Sequence, residues 1–362
     1  MRLGVRAALA DGVEVAGDVE VEDGRIAALG VSPPGAGGLA VPGFVDLQVN
    51  GFAGVDFLTA DHDGYAAAGA ALARAGVTAF QPTLISAPPE TPRAALEQGR
   101  AAAERSPIRV LGFHLEGPFL SPQRRGAHPA AHLRDPDPAL AEELLAAGPV
   151  AAMTLAPELP RGLELVEWLA GRGVQVRIGH TDAGALTAHA AFDRGASAIT
   201  HIHNAHRPFM ARDPGPAGAA LARDDVAITA IVDGVHLAPE TVAVVRRAAG
   251  RRLCIVSDAV AATALGDGRF ELGDQEIDVR EERSTLADGT LAGSVGALDR
   301  SLRLLVQNGA TLAEAVHAVS RAPALLAGRP ELGVLEPGGP ADVAVLDDEL
   351  RVTRTLLAGV QV

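Results

Sequence analysis

The sequence predicts a (β/α)8 barrel joined to a small β-sandwich domain built from both chain termini. Three observations lead there. Eight short apolar runs alternate with Ala/Leu/Glu/Arg-rich helical stretches between residues 44 and 257. Both ends of the chain instead alternate polar and apolar residues around turn dipeptides. The polar residues able to do chemistry stand directly after the apolar runs, and a parallel barrel carries its active site at those strand ends.

Taken in order, residues 1–32 read as short antiparallel strands turning at Asp11-Gly12 and Asp23-Gly24. A Pro/Gly-rich linker follows at 33–38. The strand candidates of the barrel are 44–49, 77–82, 109–115, 150–155, 174–179, 197–202, 226–232 and 253–257. Helical patterns fall at 64–75, 90–105, 138–147, 162–171, 183–194 and 239–249. Eight strands with intervening helices favour a closed barrel over an open sheet. Residues 266–292 read as a β-hairpin insert, followed by helices at 295–308 and 311–327. The β-like tail, 340–346 and 352–362, is expected to join the N-terminal strands. The division is therefore a small β domain of 1–43 and 330–362 and a barrel of 44–329.

Composition narrows the function. An apolar fraction of 48% can fill a large core, with Ala, Val and Leu doing so because aromatics are only 3%. One cysteine, Cys254, excludes an internal disulfide and fits a reducing cytoplasm. No stretch reaches the roughly 20 apolar residues of a membrane helix, and the N-terminus lacks the apolar core of a signal peptide. A net charge of -14 argues against nucleic acid as a partner. All 31 basic residues are arginine, so Schiff-base, P-loop and carbamylated-lysine chemistries are excluded.

What remains is a metal-hydrolase pattern. Glu116, His180, His201 and His203, and Asp258 each follow an apolar run. A carboxylate and imidazoles are the ligands of a catalytic zinc or ferrous ion with an open position for water. Glu116 as a mere salt-bridge carboxylate is the bland alternative, but an unpaired charge after a buried strand is costly. In His201-Ile-His203 an extended chain would place both rings on one face, and spacing does not decide which binds. Asp258 could cap a helix; at the end of the eighth strand of a metal-bearing barrel, a general base is the favoured role.

These residues resemble the amidohydrolase superfamily, and within it the N-acetylglucosamine-6-phosphate deacetylases. The resemblance spans nearly the whole chain. It is carried by Pro42-Gly-Phe-Val-Asp46, His114-Leu-Glu-Gly-Pro-Phe119, Gly126-Ala-His128, Gly179-His-Thr181 and Thr200-His-Ile-His-Asn-Ala205. It continues through Arg212-Asp-Pro-Gly215, Asp233-Gly-Val-His236, Ser257-Asp-Ala259 and Leu291-Ala-Gly-Ser294. The resemblance implies one divalent metal, zinc before iron, on Glu116, His180 and His201, with Asp258 as catalytic acid/base. It implies that His128 polarises or contacts the acetamide, that Asn204 and the Ala205 backbone hold the substrate, and that Ala127 is a further substrate-binding residue. It implies that Arg212 and His236 bind the 6-phosphate, at least one of them across a homodimer interface, and that Leu291, Ala292 and Gly293 line the sugar pocket. The implied reaction is hydrolysis of a small sugar phosphate in amino-sugar catabolism, without nucleic acid or membrane.

Two departures stand out. Relatives with two metals carry His-x-His after the first strand; here Gln48 and Asn50 occupy those positions, so the second site is expected to be empty. His203 stands where an aromatic residue is usual, which leaves a ligand swap between His201 and His203 open. The nearest alternative function is deacetylation of the galactosamine epimer. A cyclic amidohydrolase such as dihydroorotase would have no use for Arg212 and His236, and a catalytically dead binding protein would not need the full ligand and base set.

Overall fold

The computed structural model describes residues 1–362. Eight parallel strands surround one axis: β1 (Phe44–Val49), β2 (Val77–Ile85), β3 (Phe113–Glu116), β4 (Val150–Leu155), β5 (Gln175–Ile178), β6 (Ala196–Ile199), β7 (Ala227–Ala230) and β8 (Leu253–Ile255). Each pairs with the next in sequence. The ring closes just past β8, where Val49 bridges Ala259 and the Asp258 N–H donates to the Gln48 carbonyl at 3.0 Å. Strands covered by helices outside and by one another inside are buried along most of their length and mostly apolar, which is why they read as near-continuous runs.

The barrel interior holds a polar layer below the mouth. His114 bridges Thr83 at 3.1 Å and Thr154 at 2.8 Å, and Thr154 meets Thr200 at 2.8 Å. Arg177, fully buried on β5, donates to the Leu47 carbonyl at 2.9 Å and to Gln81 at 2.6 Å. Buried polar groups persist only when paired, so these bonds fix the strand ends against one another.

The helices are α1 (His62–Arg74), α2 (Glu90–Ala102), α3 (Pro138–Ala147), α4 (Gly162–Ala170), α5 (Ala185–Asp193), α6 (Gly215–Leu221), α7 (Pro239–Ala249), α8 (Leu298–Gln307), α9 (Leu312–Val319) and α10 (Arg321–Leu326). Helix α6 was not foreseen, because its Gly and Pro mask the pattern. The single helix expected at 311–327 is two. Pro323 has no N–H for the Val319 carbonyl, and Ser320 adopts φ -131 between them with its hydroxyl on the Val316 carbonyl. The third strand candidate is also split. Gly112 breaks it at φ 81, leaving Arg109–Val110 as a short separate strand. A Cβ at Gly112 would lie 2.7 Å from the Pro149 carbonyl oxygen.

Both chain ends meet in one six-stranded sheet. Its order is Val13–Ala16, Ala7–Ala10, Leu39–Pro42, Val343–Leu346, Val352–Leu357 and Val360–Gln361. A separate hairpin, Asp18–Glu22 with Arg25–Val31, packs on it through Val19, Val21 and Ile26. The insert is a three-stranded meander, Gly268–Leu272, Gln275–Arg280 and Arg283–Thr285, one strand more than expected.

Candidate active site

Glu116 ends β3, while His180, His201 and Asp258 lie two to three residues beyond β5, β6 and β8. The last three have left-handed backbones, with φ 46, 26 and 50. Such conformations cost about 1–3 kcal/mol each and are held by surrounding structure. They turn the side chains off the strand direction and over the mouth. The expected strand pairing of His201 with His203 is therefore wrong: β6 stops at Ile199, and both residues sit in a turn where strand alternation no longer applies. Gly179 permits the close packing below His180, since a Cβ there would approach Thr154 and Thr200 to 2.7 Å.

The side chains converge on one carboxylate. His201 Nε2 lies 2.9 Å and His180 Nε2 3.3 Å from Glu116 Oε1, and His128 Nε2 lies 3.7 Å from Oε2. Glu116, His180 and His201 offer ligand atoms within 4.8 Å of one another. His203 lines the cavity but does not join this group. Two tautomers follow from fixed partners. His180 Nδ1 meets the Arg124 carbonyl at 3.0 Å, so Nδ1 carries the proton and Nε2 keeps its lone pair for a cation. The Ser86 backbone N–H donates to His128 Nδ1 at 3.3 Å, so His128 Nε2 carries the proton and points a donor into the site. The donor set therefore fits a divalent metal ion.

Gln48 and Asn50, at the end of β1, clamp the two carboxylates with their amides. Gln48 Nε2 donates to Glu116 Oε1 and to Asp258 Oδ1, each at 3.0 Å. Asn50 Nδ2 donates to Asp258 Oδ1 at 2.8 Å. Asp258 Oδ2 is left free of hydrogen bonds. Burial, and then the neighbouring Glu116 charge, raise the Asp258 carboxyl above its ordinary range. Burial also pushes on Glu116, but the surrounding imidazoles of His128, His180 and His201 outweigh it and hold that carboxyl well below its ordinary range. The two carboxylates thus split in the direction an acid/base and a ligand need.

A cavity of about 380 Å³ opens above these groups. Of the residues singled out in the sequence, Glu116, Ala127, His128, His180, His201, Asn204, Ala205, His236, Asp258, Leu291 and Gly293 line it. Ala292 is fully buried behind the wall. Arg212 is exposed on the loop before α6 and does not reach this chain's cavity. His236 Nδ1 is held by Asp233 Oδ2 at 2.8 Å, which Ser294 Oγ also meets at 2.8 Å. His236 is thereby fixed at the cavity wall. Sequence reasoning passed over the supports: Gln48 and Asn50 as clamps, Ser86 and the Arg124 carbonyl. Gln48, which with Asp46 interrupts an apolar strand, was a readable signal; Ser86 and Arg124 gave none.

Comparison with known proteins identifies the family. A model of the amidohydrolase family matches residues 39–362. N-acetylglucosamine-6-phosphate deacetylase from Homo sapiens is 39% identical over 343 residues, covering 89% of this chain and 83% of that protein. N-acetylgalactosamine-6-phosphate deacetylase from Escherichia coli O157:H7 is 33% identical over 351 residues, covering 94% and 93%. The structure of an N-acetyl-D-glucosamine-6-phosphate deacetylase variant from Mycobacterium smegmatis, in complex with N-acetyl-D-glucosamine-6-phosphate, matches with a TM-score of 0.94. It is 35% identical, and the match covers 99% of this chain and 97% of that one.

Proposed function

Since the chain belongs to the amidohydrolase family, we propose that it hydrolyses the acetamide of N-acetyl-D-glucosamine 6-phosphate, giving D-glucosamine 6-phosphate and acetate. The observation that carries this reading is the convergence of Glu116, His180 and His201 beside a freed Asp258 Oδ2 in one cavity. Glu116, His180 and His201 would hold one divalent ion, zinc first. Bound there, the ion supplies Lewis-acid activation of water and of the amide carbonyl.

The chain's own groups do the rest. Asp258 Oδ2 takes the proton of the attacking water, because Gln48 and Asn50 already occupy Oδ1. His128 Nε2–H donates to the carbonyl oxygen as negative charge develops on it. Asp258 then returns its proton to the amine, which cannot leave as an anion. Asn204 and the Ala205 backbone orient the sugar, and Ala127 with Leu291–Gly293 shape its pocket. His236 and Arg212 take the phosphate.

Arg212 lies outside its own cavity, so the phosphate role that the resemblance gives it would have to be played across a homodimer with a shared site. No helix is long and apolar enough to cross a membrane, and the lone buried Cys254 agrees with the cytoplasm as its place. The galactosamine epimer is the second reading, favoured by the relative from E. coli. The test is acetate release by metal-loaded protein from both N-acetylhexosamine 6-phosphates and from the unphosphorylated sugars. Turnover of the phosphorylated glucosamine compound with the highest kcat/KM is expected. No acetate from either phosphate would end the proposal.

A further inference from the structure

The meander at 268–285 takes no part in the chemistry above, yet it is bonded to both walls of the cavity. At its first turn, Leu272 lines the cavity and the Gly273 N–H donates to Asp56 Oδ2 at 3.0 Å, which anchors the tip beside α1. From that tip Gln275 Nε2 donates to the Ala127 carbonyl at 2.6 Å. Next to it, Asp274 Oδ2 meets His132 Nε2 at 2.8 Å. Both partners belong to the loop between β3 and α3. At the other end of the meander, Ser284 exchanges two bonds with Ala292: the Ala292 N–H donates to the Ser284 carbonyl at 3.1 Å, and Ser284 Oγ donates to the Ala292 carbonyl at 2.8 Å. Ala292 lies between the cavity-lining Leu291 and Gly293.

We infer that the meander is a clamp setting the spacing of the two walls of the substrate pocket, with Gln275 a positioning residue for the Ala127–His128 wall. This rests on the reading of the cavity as an amino-sugar phosphate site. The two contacts at the tip are unequal. The His132–Asp274 pair is exposed on the Asp274 side, and exposed ion pairs contribute little. Gln275 meets a carbonyl at a half-buried position, and nothing else donates to that oxygen. His128 is fixed separately, through Ser86 behind it. Loss of the Gln275 bond should therefore loosen the pocket wall while leaving the proton donor in place. The effect belongs to substrate binding more than to turnover.

The experiment uses the metal-loaded full-length chain with Gln275→Leu, which keeps the side chain's size, and Gln275→Glu, which sets a carboxylate against the Ala127 carbonyl. Steady-state acetate release from N-acetylglucosamine 6-phosphate is measured beside amide hydrogen exchange across 119–134. For both variants KM should rise about threefold to tenfold, the scale of one hydrogen bond, with kcat within twofold and faster exchange in that loop. Unchanged exchange and unchanged KM in both variants would overturn the clamp. Faster exchange with unchanged KM would overturn its role in substrate binding. If the wild-type protein releases no acetate, the functional reading fails, and faster exchange in the variants still upholds the clamp.

Discussion

Replacing Asp258 by asparagine separates the proton-transfer role of this residue from its structural one. The change is nearly isosteric, and the amide oxygen can keep the Oδ1 position that accepts from Gln48 at 3.0 Å and Asn50 at 2.8 Å. What disappears is the basic Oδ2. It also removes a buried charge facing Glu116, whose repulsion together with burial raises the Asp258 carboxyl. Two opposite outcomes are thus expected from one substitution. The metal-free variant should unfold at the same temperature as the wild type or higher, because an unfavourable buried charge is gone. Turnover should fall at the upper end of the roughly 10²–10⁴-fold that general acid–base catalysis supplies, since one group serves both proton transfers. A loss of 10⁴ corresponds to about 5.5 kcal/mol of barrier at about 1.4 kcal/mol per decade. Acetate release at saturating substrate, thermal denaturation and elemental analysis of the same preparation are the assays. A variant that holds metal and keeps a tenth of wild-type turnover would refute Asp258 as the base. A variant that loses metal or unfolds early would refute the claim that the two roles separate.

Four further outcomes are expected. Purified protein should carry about one divalent ion per chain by elemental analysis, because Gln48 and Asn50 fill the place of a second ligand pair; a reproducible ratio near two, both ions being needed for activity, would contradict this. Gln48→Leu should weaken metal affinity about 10–100-fold in competition with a chelator, the scale of losing an outer-sphere partner, since it strips the donor shared by Glu116 and Asp258. Arg212→Ala and His236→Ala should each lower kcat/KM for the phosphorylated sugar about tenfold to a hundredfold, the worth of a charge-assisted contact of roughly 1.5–3 kcal/mol, and leave the unphosphorylated sugar almost unaffected; a fully active monomer in sedimentation at assay concentration would remove the shared site. Burial pushes the Asp46 carboxyl up from 3.8 to about 7, so the folded state binds a proton that the unfolded chain releases, and the associated stability is present below pH 4 and lost as pH rises through about 7; urea denaturation between pH 4 and 8 should show that slope, and Asp46→Asn should flatten it.

The barrel was legible because its strands are buried on both faces. Continuous apolar runs such as Leu253–Val256 have no other stable placement between helices, and the polar residue after each run marks the mouth. Glu116, His180, the His201/His203 pair and Asp258 stand out by that logic, while the preference for His201 rests on the family resemblance. The breaks in the pattern were not. Pro323 in an Ala-rich stretch and Gly112 in an apolar one looked tolerable locally, and only packing decided that the chain turns there.

By itself the sequence determined the eight barrel strands, most of the helices between them, their order and the residue types at the mouth, because burial periodicity and backbone propensity are local properties. The tertiary structure decided the rest. Backbone turns at φ 46, 26 and 50 aim His180, His201 and Asp258, and no side-chain pattern encodes those angles. The choice of His201 over His203 beside Glu116, the amide clamp of Gln48 and Asn50 on Asp258, and the bond from Gln275 to Ala127 join residues 85 to 210 positions apart. Such contacts are set by how the closed barrel and its insert bring distant strand ends together. Hydrogen bonding acts over about 3 Å of space, whatever the separation along the chain.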